Sequence, residues 1–366
     1  MTRLRGLTWD HPRAIDPIVR TSAEYETRTG ISVEWTARSL EEFEDVPLAE
    51  LADEFDILAI DHPHVGNAAR AGALAPLPSE ILEKRATAYV GPSLRSYVWE
   101  NRLLALPVDA ACMVSAARAG TDLPHTWPDV LAHLAELGPA RTLLAANPTH
   151  LWGTLLSVCE AVRPGDLPGW WGDDGLDADT ALAALALLRE VLALLPERSF
   201  EANPIQVLDE LAGTGSARYT PLVFGYSTYA LERRVVFSDA PVAAGRTATG
   251  SLTGGVGLAV SARSARPQEA ADFVVFATSP EVQAGICLAA GGQPAAARAW
   301  HDPLAGEFFS STLSTMQQSF LRPRVPSYPR YQRVAASALH DMIRGGADDA
   351  RIVVRLNNLW SGAHVG

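Results

Sequence analysis

The sequence predicts an α/β protein with a parallel sheet, because apolar strand-like runs alternate with amphipathic helical stretches over residues 1–110. The chain has 366 residues, a length typical of two domains. The tripeptide Asp-His-Pro follows two of the apolar runs, at residues 10–12 and 61–63. Ligands bind at the carboxyl ends of strands in open α/β sheets. The sequence therefore predicts a ligand site near both tripeptides.

The first predicted elements are strands at 3–9, 31–36 and 55–60, with a helix between the first two. Asp16 is expected to cap this helix, Pro17 to occupy its first position and Gly30 to end it. Strands and helices that alternate in this way form right-handed crossovers in one sheet.

Capping signals and helical periodicity predict the elements of the rest of the chain. Thr126 and Asp129 suit a capped helix that ends at Gly138, and Ser279 with Pro280 suits the start of another. The remaining predicted elements are a helix at 179–195, strands at 219–224 and 254–262, helices at 267–277 and 280–290, and helices near the carboxyl terminus.

Composition excludes several classes of function. The net charge of −12 argues against nucleic acid as a partner, because phosphate binding needs clustered Lys and Arg. No run reaches the roughly 18 apolar residues that cross a membrane. Cys112, Cys159 and Cys287 are widely separated, which predicts buried free thiols rather than disulfides or a zinc site. We expect no cofactor, and a monomer is the default expectation.

Several segments, taken in order, resemble the family 1 extracellular solute-binding proteins, the maltose-binding-like subunits of ABC importers. The segments that carry the resemblance are Phe55-Asp56-Ile57-Leu58-Ala59-Ile60-Asp61, Ala71-Gly72-Ala73-Leu74-Ala75-Pro76-Leu77, Leu106-Pro107-Val108-Asp109, Thr126-Trp127-Pro128-Asp129-Val130-Leu131, Gly254-Gly255-Val256-Gly257-Leu258-Ala259-Val260 and Ala277-Thr278-Ser279-Pro280-Glu281-Val282-Gln283.

The resemblance implies a type II periplasmic binding protein fold, in which two α/β lobes close like a hinge over a small ligand. Residues 1–108 with 254–300 would form lobe 1, and residues 109–253 with 301–366 would form lobe 2. The chain would cross between the lobes near 107–113 and again near 240–253.

The function that the resemblance implies is non-catalytic binding of a sugar or sugar derivative, with an ABC permease as the membrane partner. The predicted strand at 3–9 leaves no room for the apolar core of a signal peptide, so the expected location depends on whether such a peptide has been removed. The protein is extracytoplasmic if a signal peptide has been removed, and cytoplasmic if the chain is complete as written.

A sugar site needs flat apolar faces and a few groups that bond hydroxyls. Each aromatic candidate has an alternative role in the core, and Asp10 and Asp61 have an alternative role as helix caps. Arg324 would indicate an acidic ligand if it faces the cleft. The candidates are Trp9, Trp152 and Tyr226 for the ring faces; Asp10, His11, Asp61, His62 and Asp109 for the hydroxyls; and Thr253, Gly254, Gln293 and Arg324 at the crossing and cleft margin.

Two other functions stay open at this point. His11, His62 and His64 have the chemistry of transition-metal ligands, although their spacing favours no particular site. Thiamin-degrading enzymes use the same fold with a nucleophilic cysteine near the first crossing, where Cys112 lies. A His/Asp pair in the cleft is a further catalytic alternative.

Overall fold

Two separate β-sheets organise the chain in the computed structural model, which describes residues 2–38, 48–163, 169–231 and 234–364. The strands are β1 Thr2–Trp9, β2 Ile31–Arg38, β3 Ile57–Asp61, β4 Leu74–Ala75, β5 Val98–Trp99, β6 Arg102–Leu103, β7 Leu106–Pro107, β8 Ala111–Arg118, β9 Trp171–Gly172, β10 Gly175–Leu176, β11 Tyr219–Phe224, β12 Val235–Ser238, β13 Thr253–Gly254 and β14 Val256–Ser261.

Helices cover the faces of both sheets. The α-helices are α1 Pro12–Thr29, α2 Leu48–Glu54, α3 Val65–Arg70, α4 Glu80–Lys84, α5 Trp127–Leu137, α6 Pro148–Val162, α7 Ala178–Ala193, α8 Pro204–Ala212, α9 Pro267–Ala277, α10 Pro280–Val282, α11 Ala297–Trp300, α12 Glu307–Ser311, α13 Leu313–Gln318, α14 Tyr328–Arg344 and α15 Asp349–His364. A π-helical turn, Gln283–Cys287, directly follows α10. Within the described ranges, none of the helices has the length and apolar character needed to span a bilayer.

The first sheet has the strand order β2-β1-β3-β14-β4, with β7 paired to β14. Strand β1 runs parallel to β2 and β3, and Gly6 and Leu7 pair with Ile57 and Leu58. The prediction that both Asp-His-Pro turns lie at one sheet edge is therefore confirmed. The predicted parallel arrangement is incomplete, however, because β14 joins β3 in the antiparallel direction.

The second sheet is antiparallel and is centred on β8. Strands β11 and β12 flank β8, and β13 pairs with the start of β8. Helices α6, α7, α14 and α15 pack beside this sheet around a buried cluster that contains Trp152, Leu155, Tyr331 and Trp360. Another buried cluster contains residues of both sheets, such as Leu4 of β1 and Val223 of β11, so the two halves share part of their core.

Two short segments carry the chain between the sheets. The first runs from β7 to β8, as predicted. The second joins β13 to β14, directly after the predicted crossing at 240–253, since Thr253 and Gly254 pair with β8. The passage is at Gly255, where the Val256 N–H donates to the Asp109 carbonyl over 3.1 Å and the Asp109 N–H donates back over 3.1 Å. The exact lobe boundaries stay a prediction.

Helix α1 begins earlier than the sequence analysis predicted. His11 has extended backbone angles and caps the helix, because its Nδ1 accepts from the Arg13 N–H over 3.1 Å. Pro12 takes the first position, so Asp16 and Pro17 lie inside the helix. The predicted caps Thr126 and Ser279 are confirmed, since their hydroxyls accept from the backbone of Asp129 and Val282.

Gly255 tests the geometry of the second crossing. Its φ of +112° disfavours other residues, and an added Cβ would lie 2.5 Å from the Asp109 carbonyl oxygen. Gly306 is a matched control, because its φ is +104° and nothing lies within 4 Å of an added Cβ. We expect Gly255→Ala to cost about 1–3 kcal/mol more unfolding free energy than Gly306→Ala in urea titrations. Equal losses would contradict the close approach of the two crossing segments.

Candidate functional site

A cleft opens where the edge of the first sheet faces the second sheet. The empty space within it, including the part that is open to solvent, is about 830 Å³. Both sheets and their helices contribute to its walls. The described residues that line it are Trp9, Arg13, Asp61, Asp109, Ala111, Thr149, His150, Trp152, Pro204, Phe224, Tyr226, Leu252, Gly254, Gly255, Val256, Arg322 and Gln332.

A buried ion pair forms the floor of the cleft. Arg13 donates from Nε and Nη2 to the two carboxylate oxygens of Asp109, over 2.7 and 2.5 Å, and from Nη1 to the Gly225 carbonyl over 3.0 Å. Both side chains are about 5% exposed, at 4% for Arg13 and 6% for Asp109. Burial alone would lower the pKa of Arg13, but the Asp109 carboxylate raises it above its usual value. Burial raises the pKa of Asp109, although the Arg13 charge and its hydrogen bonds oppose that shift.

A second ion pair spans the cleft between Asp61, at the end of β3, and Arg322. The Arg322 Nη2 donates to Asp61 Oδ2 over 2.8 Å, and its Nη1 donates to Gln332 Oε1 over 3.2 Å. Although burial opposes ionisation, the charge of Arg322 and the hydrogen bond from His62 hold the pKa of Asp61 well below its usual value. Asp61 is thus a carboxylate throughout the physiological range.

Aromatic rings form much of the remaining wall. The Arg13 guanidinium carbon lies 4.5 Å from the centre of the Tyr226 ring, so the floor ion pair also positions that ring. The Trp152 Nε1 donates to the Tyr328 hydroxyl over 3.3 Å. An added Cβ at Gly254 would meet the Phe224 ring at 2.7 Å, which explains why this position is glycine. The cleft consequently combines flat apolar faces with two charged pairs.

Half of the predicted ligand residues line this cleft, namely Trp9, Asp61, Asp109, Trp152, Tyr226 and Gly254. Trp152 is also a core residue, with 1% of its surface exposed. Of the two roles considered for Asp61, the structure shows the cap, because its Oδ1 accepts from the His62 N–H at the start of the short helical turn His62–His64. The part of these six residues in ligand binding remains a prediction.

The other six predicted ligand residues are absent from the described lining of the cleft. Asp10 is exposed, and it does not cap α1, since His11 does so. The His11 ring packs edge-on against Tyr226 with the ring centres 5.1 Å apart. His62 is buried behind Asp61, with 3.2 Å between its Nδ1 and Asp61 Oδ1.

Thr253, Gln293 and Arg324 bond to the protein itself. The Thr253 hydroxyl donates to Ser319 over 2.9 Å. The Gln293 amide donates to the carbonyls of Ala110 and Gly225 and accepts from the Ser227 N–H. Arg324 donates to the Val98 carbonyl over 2.7 Å, outside the cleft. The condition under which Arg324 would indicate an acidic ligand is therefore not met.

Sequence reasoning missed Arg13, His150 and Arg322 as cleft residues. A helix that starts at Pro12 would have directed attention to Arg13 in its first turn. His150 lies in the first turn of α6, two residues before the candidate Trp152, and the capping residue Asn147 also bonds the His150 ring over 2.8 Å. Arg322 belongs to the same arginine-rich segment as Arg324.

The structure gives no support to a metal site or to a cysteine nucleophile. The residues that the structure describes include no group of three or more His, Cys, Asp or Glu side chains arranged to hold a metal ion, so His11, His62 and His64 do not form one. Cys112 is 2% exposed and lies outside the cleft lining, and burial raises the pKa of its thiol far above the usual value. All three cysteines are buried and free, as predicted.

Comparison with known proteins identifies the family. A family model described as bacterial extracellular solute-binding protein matches residues 21–303, which is most of the chain. The chain belongs to this family. The resemblance seen in the sequence is thereby confirmed, and this solute-binding protein has no match among the curated protein sequences.

Solved structures of solute-binding proteins share the fold. Maltose-bound MalE3 from T. maritima aligns with a TM-score of 0.82 and 17% identity over 99% of both chains. The Thermus thermophilus maltotriose-binding protein, with maltotriose bound, aligns at 0.76 and 17% identity over 100% of both chains. A tagatose-bound ABC transporter solute-binding protein from Thermotoga lettingae aligns at 0.78 and 14% identity over 98% of this chain and 100% of the other. The predicted type II periplasmic binding protein fold is confirmed.

Removing the floor ion pair of this solute-binding protein is expected to reduce its stability strongly. Arg13→Met leaves the Asp109 carboxylate buried without its partner, so we expect a loss of about 3–5 kcal/mol in the free energy of unfolding. The matched control is Arg3→Met, which removes a pair with Glu34 whose side chains are 62% and 58% exposed, and it should cost at most about 1 kcal/mol. Urea unfolding monitored by circular dichroism measures both losses. Similar losses would contradict a structural role for the floor pair.

The burial of His62 is expected to make the stability of the protein depend on pH. Burial lowers its pKa to about 4 in the folded protein, whereas an unfolded histidine titrates near 6.5. The unfolded state therefore binds more protons between these values, and stability falls as pH decreases from about 6.5 to about 4. We expect His62→Asn to reduce this slope by up to ~1.4 kcal/mol per pH unit, the value for one proton. An unchanged slope in urea titrations across this range would contradict the buried neutral histidine.

Proposed function

We propose that this solute-binding protein binds a small sugar or sugar derivative in the cleft, as the substrate-binding component of an ABC importer. The observation that carries the proposal is the composition of the cleft, in which aromatic faces from both halves surround two ion pairs. Family membership supports solute binding, and structures of the same fold contain maltose, maltotriose and tagatose.

The cleft chemistry suits a polyol. Trp9 and Tyr226 offer apolar faces to the C–H side of a sugar ring, while Asp61 accepts hydrogen bonds from hydroxyls and Arg322 donates to them. Both arginines that line the cleft already have a carboxylate partner. Arg13 pairs with Asp109 at the floor, and Arg322 pairs with Asp61 across the cleft. The lining charges cancel, which favours an uncharged ligand over an acidic one.

Closure of two lobes is the binding mechanism that we propose. Asp61 follows a strand of the first sheet, and Arg322 is held to α14 through Gln332, so a ligand beside this pair contacts both halves only in the closed form. A ligand that binds the closed form more tightly than the open form shifts the population toward the closed form. The closed form would then be recognised by a membrane permease.

The family description supports an extracytoplasmic location for the protein. A monomer is sufficient for this mechanism, because both halves of the cleft come from one chain. Binding without turnover is the expected chemistry, and the burial of Cys112 supports it.

A thermal-shift screen of sugars and polyols tests the proposal. Binding predicts an increase in stability that grows with the logarithm of ligand concentration above Kd, with the solute recovered unchanged by mass spectrometry. A product in the recovered solute would favour the enzyme alternative instead. Absence of stabilisation by any sugar would contradict the proposed ligand class.

Trp9 tests the position of the site. We expect Trp9→Leu to weaken binding of the sugar found in the screen by at least about tenfold, or ~1.4 kcal/mol, because an aromatic wall of the cleft is lost. The control is Trp35→Leu, since Trp35 is half-buried and bonds to Ser22 away from the cleft. Calorimetric titration measures both Kd values. Unchanged affinity in the Trp9 variant would show that the ligand binds elsewhere.

A further inference from the structure

A second groove adjoins the cleft on the side of Arg322. It encloses about 1230 Å³, including open solvent, and we call it the outer groove. Its wall includes Trp99, Trp170, Phe320 and Arg324, and the Trp170 and Phe320 ring centres lie 5.0 Å apart. Among the residues that the structure describes, Arg322 is the one that lines both the cleft and the outer groove.

Arg322 is held firmly in this position. Its backbone segment lies against β13, because the Phe320 N–H donates to the Ser251 carbonyl and the Thr253 N–H donates to the Phe320 carbonyl, each over 3.0 Å. Its guanidinium is bonded to Asp61 on one side and to Gln332 on the other. The side chain therefore forms a barrier that is fixed at both ends.

The segment beyond Arg322 is anchored to the first half as well. Arg324 donates to the Val98 carbonyl over 2.7 Å and to the Arg95 carbonyl. An added Cβ at Gly66 would lie 1.9 Å from the Arg324 carbonyl oxygen, so the segment passes Gly66 without a gap. These contacts hold the segment against the first half on the far side of Arg322.

We propose that Arg322 determines ligand length, by ending the cleft at a short sugar and separating it from the outer groove. This inference rests on the proposed function. A longer chain could reach the outer groove only by displacing Arg322 from Asp61, which would leave a buried carboxylate without its partner. Beyond the barrier, Trp99 and Phe320 provide aromatic surface of the kind that stacks on sugar rings.

The experiment compares two variants that remove the same charge but differ in length. Arg322→Ala removes the barrier, whereas Arg322→Met keeps an unbranched side chain in its place. Both leave Asp61 without its partner, so the general loss of affinity is shared and cancels in a ratio. The probes are glucose, maltose, maltotriose and maltotetraose, with the β-linked series from cellobiose to cellotetraose, titrated by calorimetry.

We expect the wild type to bind a monosaccharide or disaccharide best and to lose affinity with each added ring. Relative to Arg322→Met, Arg322→Ala should lower the ratio of the tetrasaccharide Kd to the disaccharide Kd by at least about tenfold. If the ratio is the same in both variants, or if the wild type already prefers the tetrasaccharide, the inference is overturned. If the wild type binds no sugar, the proposed function fails and the inference falls with it.

A second pair of variants covers the case in which the single variants do not fold. Arg322→Ala with Asp61→Asn and Arg322→Met with Asp61→Asn remove the buried charge together with its partner, which removes the main cost to stability. The same tenfold difference in the ratio is expected between them. Circular dichroism verifies folding before each titration.

Discussion

The buried pair of Arg13 and Asp109 is the interaction on which the arrangement of the cleft depends. It joins the first turn of α1, the first crossing between the sheets and, through Gly225, the end of β11. A buried ion pair is tolerated only when its hydrogen-bonding capacity is well used. Here both oxygens of Asp109 accept from Arg13, and the guanidinium also supports the Tyr226 ring. One side chain thus fixes the floor and one wall of the site.

Local signals were sufficient to predict much of the fold. Strand β3 is buried on both faces and therefore appears as a continuous apolar run, and Thr126 caps its helix through residues only three positions away. The predicted start of α1 was wrong because Pro12 and Pro17 are both suited to the first position of the helix. His11 decides between them through a side-chain bond that periodicity does not reveal. The exact bounds of the second crossing stay a prediction, because Gly254 pairs with a strand more than a hundred residues away and no local pattern shows this pairing.

The site was predictable only where it coincides with a strand end. Trp9 and Asp61 lie on neighbouring parallel strands, so topology alone brings them to one edge. Arg322 is 261 residues away from Asp61 along the chain, and no local pattern pairs them. Arg322 and Arg324 both reach the first half of the molecule, yet only the former meets a carboxylate at the cleft. That distinction depends on tertiary contacts of an irregular segment around Pro323.

The two ion pairs differ in what they do during closure. Arg13 and Asp109 are both close to the first crossing, where the Asp109 backbone is paired with Val256, so their bond is compatible with motion about that point. Asp61 follows a strand of the first sheet and Arg322 is bonded to Gln332 of α14, so under the proposed closure this bond would form as the cleft closes. The attraction in such a pair is largely offset by the desolvation of its two charges. Closure is therefore not locked by the pair itself, and contacts with a ligand can decide the balance between the open and closed forms.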